Sequence, residues 1–67
     1  MPKFSVRLPK LRQARQHRLL TQHELADRAG VHRVTVAEIE LGKGASSRTV
    51  RKLAEVLDVS PAELMDD

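Results

Sequence analysis

The sequence predicts an all-α fold, a compact bundle of five helices, on three observations. Its aliphatic residues recur at helical spacing along most of the chain. Aromatic residues make up 1% of the composition, Phe4 alone, so the core must be built of Leu, Val, Ile and Ala. Residues that cap helices stand at the boundaries between the apolar stripes. The alternation that a strand needs is confined to Phe4-Ser5-Val6-Arg7-Leu8.

A first helix is predicted from Pro9 to about Arg18, because proline suits a first turn, where its missing N–H would be an orphan anyway. Thr21-Gln22-His23-Glu24 has the form of a capping box, in which the Thr21 hydroxyl accepts from the Glu24 amide and the Glu24 carboxylate reaches back to Thr21. It opens a second helix, about Gln22 to Ala29, with Leu25, Ala26 and Ala29 on its buried face. Gly30 can take the left-handed conformation and turn the chain. A third helix then runs from Arg33 to about Leu41, burying Val36 and Ile39. After a loop from Gly42 to Ser46, either Ser46 or Ser47 caps a fourth helix that ends near Leu57 and buries Val50, Leu53, Ala54 and Leu57. Ser60-Pro61-Ala62-Glu63 is a second capping box, opening a short fifth helix. Residues 1–8 read as a basic N-terminal arm and residues 9–67 as a single domain.

Composition bounds the function. A chain of 67 residues buries only about 60% of its unfolded surface. No cysteine is present, so disulfide staples and thiolate metal sites are excluded. The longest uninterrupted apolar run is two residues, too short for a spanning helix or the apolar part of a signal peptide, which leads to a cytoplasmic expectation. His17, His23 and His32 lack the spacing of a helical ligand pair, so no metal is expected. Serines stand in the arm or at caps and no glycine-rich phosphate loop occurs, so neither a cofactor nor an enzyme is expected.

Twelve basic residues oppose nine acidic ones, a net charge of +3 with an uneven layout. Residues 1–23 carry Lys3, Arg7, Lys10, Arg12, Arg15 and Arg18 and no acid, whereas Glu63, Asp66 and Asp67 close the chain. A basic leading segment is either the footprint of a polyphosphate partner or a solvated surface.

Two short helices joined across Ala29-Gly30-Val31-His32 can cross steeply and present the second to a DNA major groove, although many helical bundles contain such a turn. The residues around it carry more. The run Leu20-Thr21-Gln22-His23-Glu24-Leu25-Ala26, then Gly30-Val31, Thr35-Val36, Ile39-Glu40, Gly42-Lys43, Leu53-Ala54-Glu55-Val56-Leu57 and Val59-Ser60 resembles the phage repressor and Cro (XRE-type) family of helix-turn-helix proteins over about residues 10–65. That resemblance implies a DNA-binding domain acting as a cytoplasmic homodimer on a palindromic operator, in the manner of a transcriptional repressor. An alternative is an antitoxin-type module whose main work is to mask a partner protein such as a toxin, with DNA binding secondary; a further one is a helical adaptor without DNA binding.

By the same resemblance residues 33–40 form the recognition helix, and Gln22 donates to a phosphate while bracing it. His32, Arg33 and Val34 fall at positions that meet phosphate and base edges, Glu38 at a further base-facing position, and Lys43 in a loop that meets phosphate. Arg15 and Glu40 match a structural ion pair. The residue chemistry is compatible. Arg33 can pair with guanine O6 and N7, a contact worth about 1–3 kcal/mol of discrimination. Val34 either meets a thymine methyl or shields the edge of the core. Thr35 bonds phosphate or, by preference, its own helix backbone. Glu38 is repelled by phosphates unless it accepts from cytosine N4 or is held by a neighbouring Arg. Thr21 and Gln22 stand at a helix N-terminus suited to a phosphate.

The chain also departs from the family pattern. Leu19 stands where glycine is frequent, and Asp58 where glycine precedes Val59; leucine tolerates the left-handed region poorly, so the first helix is expected to end differently. Leu41 replaces a frequent polar residue beside the groove. Lys3 and Arg7 of the arm lie outside the resemblance and can track DNA, fray or pair with a second copy. Leu57, Val59, Leu64 and Met65 are the candidate dimer surface.

Overall fold

The computed structural model describes residues 5–65. Among them five helices follow in order: α1 Leu11–His17, α2 Gln22–Ala29, α3 Arg33–Glu40, α4 Ser47–Leu57 and α5 Pro61–Leu64. Pro9 lies ahead of α1 rather than in its first turn. The Leu11 amide donates to the Leu8 carbonyl at 3.0 Å, so Pro9 occupies the second position of a tight turn, where its fixed φ is equally suited. The other boundaries fall within a residue or so of the sequence expectation.

Fourteen buried apolar residues make one core: Leu8, Leu11 and Leu20, the predicted stripes of α2, α3 and α4, Ala45 and Leu64. α2 packs on both α3 and α4, α4 on α5, and α1 on α3. Leu8, read from sequence as the last residue of the arm, is inside this core. Just before it, Val6 pairs with Ala45 in an antiparallel bridge, its amide and carbonyl bonded at 2.8 and 2.7 Å. Lys3, Phe4, Asp66 and Asp67 lie outside the described residues. Leu57 and Leu64 are fully buried by this chain's own helices, so neither is available as a dimer surface; Val59 and Met65 are half-buried against the core.

The first four helices end alike. In each, a residue one or two positions beyond the helix has positive φ: Leu19 (58°), Gly30 (70°), Gly42 (107°) and Asp58 (55°). In each, the next amide reaches back five residues: Leu20 to Arg15, Val31 to Ala26, Lys43 to Glu38 and Val59 to Ala54, at 3.0–3.2 Å. The residue with positive φ donates three back, completing the two-bond closure that satisfies a helix's last carbonyls. The expectation that Leu19 would end α1 differently is therefore overturned. Leu19 takes the left-handed conformation because the closing bonds on either side of it hold the chain there.

That conformation costs an L-residue about 1–2 kcal/mol, and Leu19, 89% exposed, recovers little of it by packing. Glycine would remove the strain at an entropic cost of about 0.5–1 kcal/mol. Leu19→Gly should therefore stabilise the fold by up to about 1 kcal/mol, raising Tm by about 4–8 °C in a domain of this size. Gly30→Ala, which introduces a side chain into the same backbone region, should lower Tm. Thermal unfolding followed by circular dichroism measures both.

Candidate nucleic-acid interface

α3 buries one side only. Val36 and Ile39 enter the core, whereas His32, Arg33 and Val34 at its start are exposed and Thr35 and Glu38 are half-exposed. Gly30 bends the chain between α2 and α3, so α3 neither continues α2 nor is enclosed by its neighbours. Val34, 54% exposed, is not among the residues packed on the core, so the shielding role considered for it does not apply. Thr35 makes no side-chain bond to its own helix backbone among the described residues, against expectation.

Beside this face lies the start of α2. The Thr21 hydroxyl accepts from the Glu24 amide at 3.0 Å and the Thr21 amide donates to Glu24 Oε1 at 2.9 Å, the predicted capping box. The Thr21 amide and hydroxyl hold the Glu24 carboxyl below its ordinary range. The Gln22 side chain turns to α3, its Nε2 donating to Glu40 Oε1 at 3.0 Å. Past the other end of α3, Lys43 Nζ stands 3.4 Å from Glu38 Oε2, an exposed pair.

Glu40, the last residue of α3, is where three helices meet. Arg15 of α1 grips it with two bonds, Nε to Oε2 at 2.6 Å and Nη2 to Oε1 at 3.1 Å, and donates from Nη1 to the Leu20 carbonyl at 2.7 Å. The structure thus brings together Arg15, Glu40 and Gln22, and separately Glu38 and Lys43. Sequence reasoning set Glu38 and Lys43 each against DNA and missed that they face one another. Gly42-Lys43 after the helix was the available signal, since a closing turn places that lysine back over Glu38.

Burial of Glu40, 4% exposed, disfavours its charge. Hydrogen bonds from Arg15 and Gln22 and the nearby Arg15 and Arg12 charges outweigh this, so its carboxyl titrates below the ordinary value. Its hydrogen bond to Glu40 likewise raises the Arg15 guanidinium.

No three ligating side chains converge on a metal position among the described residues, and no described helix is long and apolar enough to cross a membrane. An open groove of about 420 Å³ runs between Arg7-Leu8-Pro9 and Ile39 to Gly42 at the end of α3.

Removing one partner of a buried pair costs about 3–5 kcal/mol. At about 0.05–0.15 kcal/mol per residue, a 67-residue chain has only about 3–10 kcal/mol in all. Arg15→Ala should therefore leave the protein close to unfolding at room temperature. Because folding lowers the Glu40 pKa, its contribution is present above the unfolded value of 4.5 and is lost as the pH falls through the lower folded value. Glu40→Gln should be less stable than wild type at pH 7, and the gap should narrow in acid. Urea unfolding at pH 7 and pH 3 reads this directly.

A model of the helix-turn-helix family matches residues 11–64. No curated protein matches the chain. Among solved structures, the restriction-modification controller protein C.AhdI from Aeromonas hydrophila is 36% identical, covering 85% of this chain and 88% of its own, with a TM-score of 0.80. SinR, the master regulator for biofilm formation, in complex with DNA, is 33% identical over 87% of this chain and 95% of its own, also with a TM-score of 0.80. The solution structure of the N-terminal DNA-binding domain of SinR from Bacillus subtilis is 30% identical over 92% of this chain and 93% of its own, at the same TM-score. With the family model spanning α1 to α5 and the two-helix turn at Gly30 in place, this chain belongs to the helix-turn-helix family of the XRE type.

Proposed function

We propose that this protein is a sequence-specific regulator of transcription that binds double-stranded DNA by inserting α3 into the major groove. The observation that carries the reading is the one-sided anchoring of α3: core contacts at Val36 and Ile39, a clamp at Glu40, and an outward face bearing Arg33, Val34 and Thr35. The kinship with a SinR structure holding DNA and with a controller protein supports it. Arg33, with no partner among the described residues, reads guanine, and Val34 meets a thymine methyl. His32, Thr35, Thr21 and Gln22 contact phosphates, the last two from the start of α2. Glu38 faces a base edge and Lys43 a phosphate. The DNA-binding domain begins ahead of residue 9, since Leu8 belongs to its core and Val6 packs against it, and Arg7 lies at its edge.

The protein acts as a homodimer on a palindrome. One chain offers one recognition helix, so two half-sites a turn of duplex apart require two copies. Repression follows by occupancy of the operator.

Selection of bound sequences from a random duplex pool should yield a two-fold symmetric site, bound by two chains. Arg33→Ala should lower discrimination between that site and scrambled duplex by about 1–3 kcal/mol, at one position of each half-site. A pool that emerges unenriched would reject the proposal, and an enriched site that Arg33→Ala reads equally well would reject the register assigned to α3.

A further inference from the structure

The pair formed by Glu38 and Lys43 has no role in the fold. Its two heads are 46% and 67% exposed, stand 3.4 Å apart, and have no other charged partner among the described residues. What brings them together is backbone: the Lys43 amide donates to the Glu38 carbonyl at 3.0 Å and the Gly42 amide to the Ile39 carbonyl at 3.0 Å. The ion pair can therefore open and close without disturbing α3, and so exposed a pair opens easily.

We infer that Glu38 and Lys43 form an exchange pair through which the protein rejects wrong DNA. The inference rests on the proposal that α3 enters the major groove. There a bare carboxylate is repelled by phosphates on both sides, guanine O6 and thymine O4 offer it only acceptors, and the N6 amine of adenine comes with the N7 acceptor beside it. Against such bases Lys43 stays on Glu38. The pair then has no net charge, and Lys43 displaces no counterion from the duplex. Where the facing edge is cytosine, its N4 amine donates to Glu38, Lys43 is released, and its ammonium moves to a phosphate. One base edge thus decides whether the protein has one backbone contact more or fewer. Discrimination arises from a penalty on wrong sites as much as from a bond to the right one.

The test measures affinity against salt for wild type, Glu38→Gln, Lys43→Ala and the double variant, each on the duplex selected by wild type and on a scrambled duplex. Both positions are exposed, and circular dichroism checks that every variant folds. On scrambled duplex Glu38→Gln should bind about fivefold or more tightly than wild type, with a salt slope steeper by about 0.9, the value of one freed lysine. On scrambled duplex Lys43→Ala leaves the Glu38 carboxylate bare and should weaken binding, and in the Glu38→Gln background it should abolish the whole gain; on the selected duplex it should also lower the salt slope by about 0.9, the contact that the released lysine makes there. Selection with Glu38→Gln should lose a cytosine preference at one position of each half-site and keep the rest. The exchange pair is overturned if Glu38→Gln leaves scrambled affinity and slope unchanged, or if Lys43→Ala lowers the salt slope by the same amount on the selected and the scrambled duplex. Either result leaves the groove reading standing as long as Arg33→Ala still flattens discrimination. A wild type that does not tell the two duplexes apart overturns both.

Discussion

The carboxylate of Glu40 is the fixed point of this small structure. Two bonds from Arg15 and one from Gln22 converge on it, so the last residue of α3 is tied to α1 and to the start of α2 at once. An isolated eight-residue helix is not stable in water, and α3 has only Val36 and Ile39 to hold it in the core. Two side chains on one stripe set which face is inward but constrain tilt and rotation weakly. A forked guanidinium on a carboxylate constrains both, because its donors must lie in the plane of the acceptor oxygens. A buried ion pair is a poor source of net stability compared with apolar packing. Its value here is directional, holding the outward face of α3 at one angle to the body.

The same arginine accounts for the strained end of α1. Its backbone carbonyl accepts the Leu20 amide and its Nη1 donates to the Leu20 carbonyl, so the peptide groups around Leu19 are held from two sides. Leu20 is itself buried. Moving Leu19 out of the left-handed region would pull Leu20 from the core and loosen Arg15 from Glu40. The local cost at Leu19 is thus offset by the network it closes. Residue propensity could not foresee this, because the constraint comes from a side chain whose partner is 25 positions away.

Much of the fold was legible because its determinants are local. Thr21 and Glu24 are one turn apart, Gly30 announces its own conformation, and the stripes of α2 and α4 need only helical periodicity. Periodicity says which face is apolar and not what covers it, which is why Leu57 and Leu64 read as candidate dimer residues and lie in the core. The Val6 bridge to Ala45 joins two segments that no local rule relates. Arg15 and Glu40 were linked only through family resemblance. For the candidate site, the places given to Arg33, Val34 and Gln22 came with the family resemblance, and residue chemistry was compatible with them. The pairing of Glu38 with Lys43 was hidden because each was weighed against an absent partner rather than against the other.

That pairing changes how the charge of the chain should be weighed. The basic excess of the first 23 residues suggests a strongly cationic surface, yet Arg15 is consumed by Glu40 and Arg18 faces Asp58 at 3.5 Å. On the proposed groove side Lys43 is balanced by Glu38, leaving Arg33 as the unpaired cation of α3. Phosphate attraction is indifferent to sequence, so every cation added to such a face strengthens wrong complexes along with right ones. A net charge of only +3 offers arbitrary DNA little sequence-blind attraction. For a domain with one short reading helix this is an advantage, since discrimination is a ratio and grows when its denominator is kept small.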